Sequence, residues 1–134
     1  MNTRALLLSA IVGLAVMTPG CDWYDDDTKV VTSTTNWLWD ADLHHETDED
    51  NFLWDTTLDQ ADVGVRLRDY YGLFRIRIYD DLGAKIFDQE YDNYHYSEDD
   101  LFLGATQLGA AGTWRIRIDL WDFDGEARVE LSQP

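Results

Sequence analysis

The chain has 134 residues, and its 27 acidic residues outnumber the ten basic residues enough to give a formal net charge of −17. Such a charge repels nucleic acids and anionic lipid head groups, and we exclude nucleic acid as a partner. The acids are spread along a chain that is 45% hydrophobic, which predicts one folded domain rather than a disordered polymer.

The N-terminal segment has the layout of an export signal. Arg4 is followed by an apolar run from Ala5 to Met17, which is shorter than the about 20 residues that span a bilayer. The run ends in Thr18-Pro19-Gly20-Cys21. We therefore predict a signal peptide over residues 1–20. An ordinary secretory peptide would leave Cys21 as a stray thiol without a partner for a disulfide.

The residues around Cys21 resemble the lipobox of bacterial lipoproteins. Gly20 and Thr18 fit that pattern, whereas Pro19 departs from it. The resemblance implies that Cys21 is acylated with fatty acids such as palmitate and becomes the first residue of the mature protein. It implies a membrane-anchored lipoprotein of the bacterial cell envelope, either periplasmic or surface-exposed. Several acyl chains would anchor it stably, because one chain binds only marginally.

The remaining chain divides into two parts. We predict an acidic tether over residues 21–28 and a single domain built from strands over residues 29–134. Eight runs alternate apolar and polar residues, as half-buried strands do. The runs are Thr35–Leu43, Asn51–Leu58, Val63–Leu67, Phe74–Ile78, Ile86–Tyr91, Leu101–Leu108, Trp114–Leu120 and Ala127–Leu131.

Turn residues separate most of these runs. Predicted turns lie at Asp69–Gly72, Asp80–Gly83, Gly109–Gly112 and Asp122–Gly125, and Asp92–Asp100 is predicted to be a surface loop. About eight short strands with regular turns predict an all-β fold, namely a single antiparallel β-sandwich that is jelly-roll-like.

Two segments of the chain have similar sequences. Gly72–Gly83 and Gly112–Gly125 both run from glycine through an aromatic residue and Arg-Ile-Arg-Ile to an acidic turn and a second glycine. They resemble the later strands of small bacterial jelly-roll modules, notably the pre-peptidase C-terminal (PPC-like) and convertase P-type domains. The resemblance implies an accessory, non-catalytic domain of a kind that in some members binds calcium or sugar.

Six arginines occupy outward positions of three predicted strands. Guanidinium groups in a row suit anionic ligands, but flanking acids would instead neutralise them across strands. Because acids are in such excess, we expect a salt-bridged face. The six residues are Arg66, Arg68, Arg75, Arg77, Arg115 and Arg117.

Acidic clusters raise the question of metal binding. Asp122, Asp124 and Glu126 surround a glycine and offer oxygen ligands of the kind that calcium prefers. A second cluster, over residues 40–48, adds His44 and His45 to several acids and could suit a transition metal. The pattern favours a solvated loop for that second cluster. No other cofactor is indicated.

The aromatic residues divide into core and surface groups. Most tryptophans fall on apolar faces and are expected in the core. Tyr91, Tyr94, Tyr96 and Trp121 are predicted to be more exposed, and such a cluster could stack on sugar rings.

Catalysis has little support in the sequence. His95, Ser97 and Asp99 alternate within one short segment, which is not a nucleophile, base and orienting group brought together. We therefore predict no enzyme. The expected function is that of an exported, lipid-anchored envelope protein with a non-catalytic structural or binding domain. The alternative is a calcium-assisted module that binds carbohydrate or another polymer.

Overall fold

The computed structural model describes residues 27–134, apart from the side chains of Asp27, Tyr96 and Ser97. Cys21 and the signal segment lie outside the described residues. Within residues 27–134, no helix is long and apolar enough to cross a membrane. The strands are β1 (Asp27–Thr32), β2 (Asn36–Thr56), β3 (Asp62–Tyr79), β4 (Lys85–Ala105) and β5 (Gly112–Ser132).

The five strands form one antiparallel sheet in the order β1-β2-β5-β3-β4. Four of them are 18 to 21 residues long, and each of these crosses between two packed layers. Layer A contains β1, the first halves of β2 and β3, and the second halves of β4 and β5. Layer B contains the other four halves.

The sheet folds back on itself. Trp37 and Phe52 are 15 residues apart on β2, a separation of about 50 Å along an extended strand. Their ring centroids are nevertheless 5.5 Å apart, because Trp37 lies in layer A and Phe52 in layer B. Phe102 and Phe87 meet across the layers in the same way, at 5.6 Å. One folded sheet therefore makes both layers of the sandwich.

The eight alternating runs are the eight half-strands of this sandwich. Numbered in chain order, they lie as 1-8-3-6 in layer A and 2-7-4-5 in layer B. This is the winding of a jelly roll, so the predicted all-β antiparallel sandwich is confirmed. The strand β1 is a ninth segment that the sequence did not predict, and it pairs with the edge of run 1.

Buried tryptophans fill the space between the layers. Trp54 and Trp114 meet edge to face at 5.5 Å, and both are almost fully buried. Each indole nitrogen donates to a backbone carbonyl, that of Ser33 at 2.6 Å and that of Ala110 at 2.9 Å. Burying these two rings with their N–H groups satisfied stabilises the core without the cost of unpaired donors at Trp54 and Trp114.

Several predicted boundaries are wrong. Asp69–Gly72 and Asp122–Gly125 are not turns between strands but bends within β3 and β5, where each strand passes from one layer to the other. Asp92–Asp100 is not a loop, because it continues β4. The mixed cluster over residues 40–48 likewise belongs to β2. The strand β1 begins at Asp27, inside the predicted tether.

We call the region in which β2, β3, β4 and β5 pass from one layer to the other the bend. Local irregularities in these four strands produce it. Register shifts occur where these strands cross, and His45, Asp69 and Asp122 have positive φ angles of 47–49°. Gly72 has a φ of +104°, and a Cβ placed on it would overlap the backbone carbonyl of Asp122. The chain therefore needs glycine here both for its backbone angle and for the close approach of β3 to β5.

Candidate functional site

Exposed aromatic rings gather on the outer surface at the bend. Trp121 on β5 is 61% exposed and lies opposite Leu73 of β3. Two residues before Leu73, Tyr71 faces the same way and meets the ring of Tyr94 on β4 edge to face, with centroids 5.3 Å apart. Tyr94 is 41% exposed. We call Tyr71, Tyr94 and Trp121 the corner patch.

Tyr94 lies in a β-bulge of β4. Tyr70 of β3 pairs with Glu98 and Gly72 pairs with Asn93, so four residues of β4 lie between pairing positions that are only two apart on β3. The buried Asn93 holds this bulge, since its side-chain amide donates to the carbonyl of Tyr70 at 2.8 Å. The backbone N–H of His95 donates to the Asn93 side-chain oxygen at 3.2 Å. These two hydrogen bonds thus hold the segment of β4 that carries the Tyr94 ring.

An imidazole joins two carboxylates beside the corner patch. Nδ1 of His45 lies 2.8 Å from Oδ1 of Asp122, and Nε2 lies 3.0 Å from Oδ2 of Asp124. Both ring nitrogens must donate to satisfy both carboxylates, which describes the imidazolium form. The hydrogen bond to Asp122 and the charge of Asp124 raise the pKa of His45 above its ordinary value of 6.5. The ring also lies 6.5 Å from that of Tyr71.

Carboxylates border the corner patch on two strands. Asp92 of β4 lies opposite Leu73 and is exposed, and Asp122 and Asp124 border the patch on β5. Partial burial, and then the charges of Asp92, Tyr71 and Asp122, raise the pKa of Tyr94. The phenol therefore stays neutral well above neutral pH. We call Asp92, Asp122 and Asp124 the acidic rim.

The predicted aromatic residues do not all share one face. Trp121 and Tyr94 belong to the corner patch, whereas Tyr91 points inward against Phe74 at 6.2 Å. Burial raises the pKa of Tyr91 to about 12. The side chain of Tyr96 lies outside the described residues. The sequence pattern did not identify Tyr71 as a surface residue of this group. Tyr71 lies in a segment that reads as a turn, where apolar and polar residues do not alternate and the face of the sheet cannot be assigned.

The three predicted calcium ligands do not converge. Asp122 and Asp124 point to His45, while Glu126 lies on the outer face of layer A, opposite Asp42 and Arg68. Among residues 27–134, no three His, Cys, Asp or Glu side chains stand close enough together to hold a metal ion. The role of His45 could not be read from the sequence, because its acidic partners are 77 and 79 residues away in the chain.

The arginines separate onto two faces rather than one. Arg75, Arg77, Arg115 and Arg117 lie on the outer face of layer B, and Arg66 and Arg68 on that of layer A. On layer B the expected salt-bridged ladder is present. Arg75 binds Asp88 through two hydrogen bonds of 2.9 and 3.0 Å, Arg77 pairs with Asp119, and Arg117 pairs with both Asp119 and Glu49. Arg115 instead lies 4.5 Å above the Tyr79 ring.

A shallow depression adjoins the bend on the layer A side. It contains Arg66, Arg68, Asp99, Asp100 and Leu101 along its rim. The two arginines make no ion pair with any residue that the structure describes. Asp99 and Asp100 also line the depression, and none of its lining residues is aromatic. We therefore place the candidate binding surface at the corner patch.

Comparison with known proteins gives matches only at the level of structure. No protein-family model matches the chain, and no protein of curated function does. Among solved structures, the chain is similar to TmCBM61 in complex with β-1,4-galactotriose, with 9% identity and a TM-score of 0.44 over 80% of this chain. It is also similar to a CBM4 domain, with 10% identity and a TM-score of 0.39 over 78% of this chain.

Larger enzymes match through one part of their length. An Arthrobacter globiformis T6 isomalto-dextranase complexed with panose matches at 10% identity and a TM-score of 0.39, over 81% of this chain and 21% of the enzyme. The chain spans 64% of the TmCBM61 chain and 77% of the CBM4 chain.

Proposed function

We propose that this protein is a non-catalytic module that binds polysaccharide through the corner patch. The observation that carries the proposal is the exposure of Trp121 and Tyr94 on neighbouring segments of one hydrogen-bonded sheet. An indole left 61% exposed gives up hydrophobic stabilisation, and an exposed aromatic cluster marks an interaction surface. The apolar C–H faces of pyranose rings are suited to stack on such rings.

The way in which the three rings are held favours a role of the corner patch in binding a ligand over a role in stabilising the fold. The three rings come from β3, β4 and β5, whose backbones are hydrogen-bonded to one another. Rings held on strands need little ordering when a ligand arrives, and this lowers the entropic cost of binding. The rings lie on an open surface, which suits a segment of a long polymer better than a small molecule that must be enclosed.

The proposed binding does not use calcium. His45 already binds the two carboxylates that would have been the first calcium ligands, Asp122 and Asp124. The imidazolium supplies the positive charge that a cation would otherwise bring. Its hydrogen bonds also hold β2 against β5 at the edge of the corner patch.

The experiment is affinity electrophoresis of the protein through gels that contain single polysaccharides, followed by calorimetry with oligosaccharides of any retarding polymer. We expect Trp121→Ala to weaken binding about tenfold or more, which corresponds to about 1.4 kcal/mol. Leu82→Ala is the matched control, since Leu82 is 82% exposed on the β3–β4 turn and lies away from the patch. Equal affinity of the two variants would contradict the proposal.

We further propose that the module is exported and anchored by acylation of Cys21, as the sequence around that residue suggests. Metabolic labelling with a fatty-acid analogue should label the wild-type protein in the membrane fraction. Cys21→Ala should lose the label and leave the membrane. Label that persists in Cys21→Ala would refute the anchor while leaving the polysaccharide proposal intact.

A further inference from the structure

We propose that the corner patch recognises a glycan that carries free amino groups, such as a polymer of unacetylated glucosamine. This inference rests on the proposed function, because it specifies the ligand of the same surface. The combination that supports it is aromatic faces bordered by carboxylates. An ammonium group is attracted both to the face of an aromatic ring and to nearby acids.

The charges around the patch favour a cation. The acidic rim supplies three carboxylates, and among residues 27–134 the cation that binds it is His45, which contacts two of them. Asp92 has no ion pair or hydrogen bond with any residue of the described part of the chain. Its carboxylate lies across β3 from Trp121, since both pair with Leu73. A sugar ring stacked on Trp121 would thus bring its amino substituent near an acid that lacks a counterion.

The same charges disfavour other glycans. A polyuronate would bring a carboxylate on each sugar into the field of the acidic rim and of a protein with a net charge of −17. On layer B, Arg75, Arg77 and Arg117 are engaged in ion pairs. Arg66 and Arg68 line the separate depression on the layer A side and are not part of the corner patch. A neutral glycan would stack on the rings but would leave Asp92 without a counterion.

The experiment compares three oligosaccharides of equal length by calorimetry with the full-length protein at mildly acidic pH: glucosamine, N-acetylglucosamine and galacturonate oligomers. We expect the glucosamine oligomer to bind about tenfold more tightly than its acetylated counterpart, and the galacturonate oligomer to give no heat of binding. Acetylated oligomer that binds as tightly as the free amine would overturn the inference and keep the proposed function. Absence of binding by all three, and by the polysaccharide panel, would overturn both.

Variants separate recognition from general attraction to a negative protein. Asp92→Asn should lower the affinity for the glucosamine oligomer about fivefold and should affect that for the acetylated oligomer less. Glu130→Gln removes the same charge from the outer face of layer A and should change neither. Equal effects of the two substitutions would overturn the inference. So would an oligolysine that binds as tightly as the glucosamine oligomer and is indifferent to Trp121→Ala, because the surface would then be attracting any polycation.

Discussion

At the scale of single residues, His45 is the side chain through which pH should act on the bend. Its folded pKa is raised, so the stability it contributes is fully present below the unfolded pKa and is lost as pH rises through the folded pKa. The groups around it are Asp122 and Asp124 of β5 and the Tyr71 ring of β3.

We predict that His45→Asn removes this pH dependence. Asparagine tolerates the positive φ at this position but cannot be protonated. The midpoint of thermal unfolding of the wild type should therefore exceed that of the variant most at about pH 5–6, and the difference should shrink by about pH 8. Melting curves across this interval measure the effect.

The neighbouring histidine provides the control. His44 is exposed and makes no ion pair among residues 27–134, and His44→Asn should follow the wild-type pH profile. A difference between wild type and His45→Asn that stays constant across the interval would show that the imidazolium does not hold the two carboxylates.

At the scale of the elements, the bend decides how the strands form two layers. Gly72 allows β3 to pass close to the backbone of β5, and Gly125 does the same in return, since a Cβ there would lie 2.8 Å from the Cα of Tyr70. Each of these glycines also has a positive φ. The bend therefore depends on backbone proximity and not only on the hydrophobic pattern.

We predict that Gly72→Ala lowers the free energy of unfolding by about 3 kcal/mol or more, because it combines a backbone overlap with an unfavourable φ. Gly83→Ala is the matched control. Its φ is +86°, but a Cβ there meets no atom within 4 Å, so only the backbone strain of about 1 kcal/mol applies. Urea unfolding measures both, and equal losses would mean that the close approach at the bend is unimportant.

The alternation of apolar residues was enough to predict the half-strands but not how they connect. Val63 and Phe74, for example, lie in two alternating runs that both belong to β3, and the hydrophobic pattern is the same whether a turn or a bend separates the two runs. Residues such as Asp69 and Gly72 favour positive φ in either case. The pattern could not distinguish a chain that reverses direction from one that changes layer.

The candidate site was predictable only in part for the same reason. Trp121 and Tyr94 were expected at the surface, but Tyr71 and His45 join them through contacts between strands that are distant in sequence. Tyr91 faces inward because the register shift beside Ile86 moves the alternation of β4, so that Phe87 and Tyr91 share the inner face. Composition and periodicity carry no information about such irregularities until the neighbouring strand is known.

At the scale of the whole molecule, the dominant electrostatic feature is an excess of negative charge. With a net charge of −17, repulsion among carboxylates opposes the compact state throughout neutral pH. Local ion pairs, such as that of Arg75 with Asp88, act in the opposite direction, but acidic residues exceed basic residues by 17. Screening by salt should therefore weaken the repulsion among the carboxylates more than it weakens the attraction within the ion pairs.

We predict that sodium chloride raises the midpoint of thermal unfolding, by a few degrees between about 10 and 150 mM, as the screening length falls from about 30 to 8 Å. Calcium and magnesium chloride at equal concentrations should raise it equally, because Asp122, Asp124 and Glu126 do not converge and both ions would act by screening. Potassium chloride should match sodium chloride. A midpoint higher in calcium than in magnesium, and reversed by a chelator, would require a calcium site and would return these acids to the role that the sequence suggested.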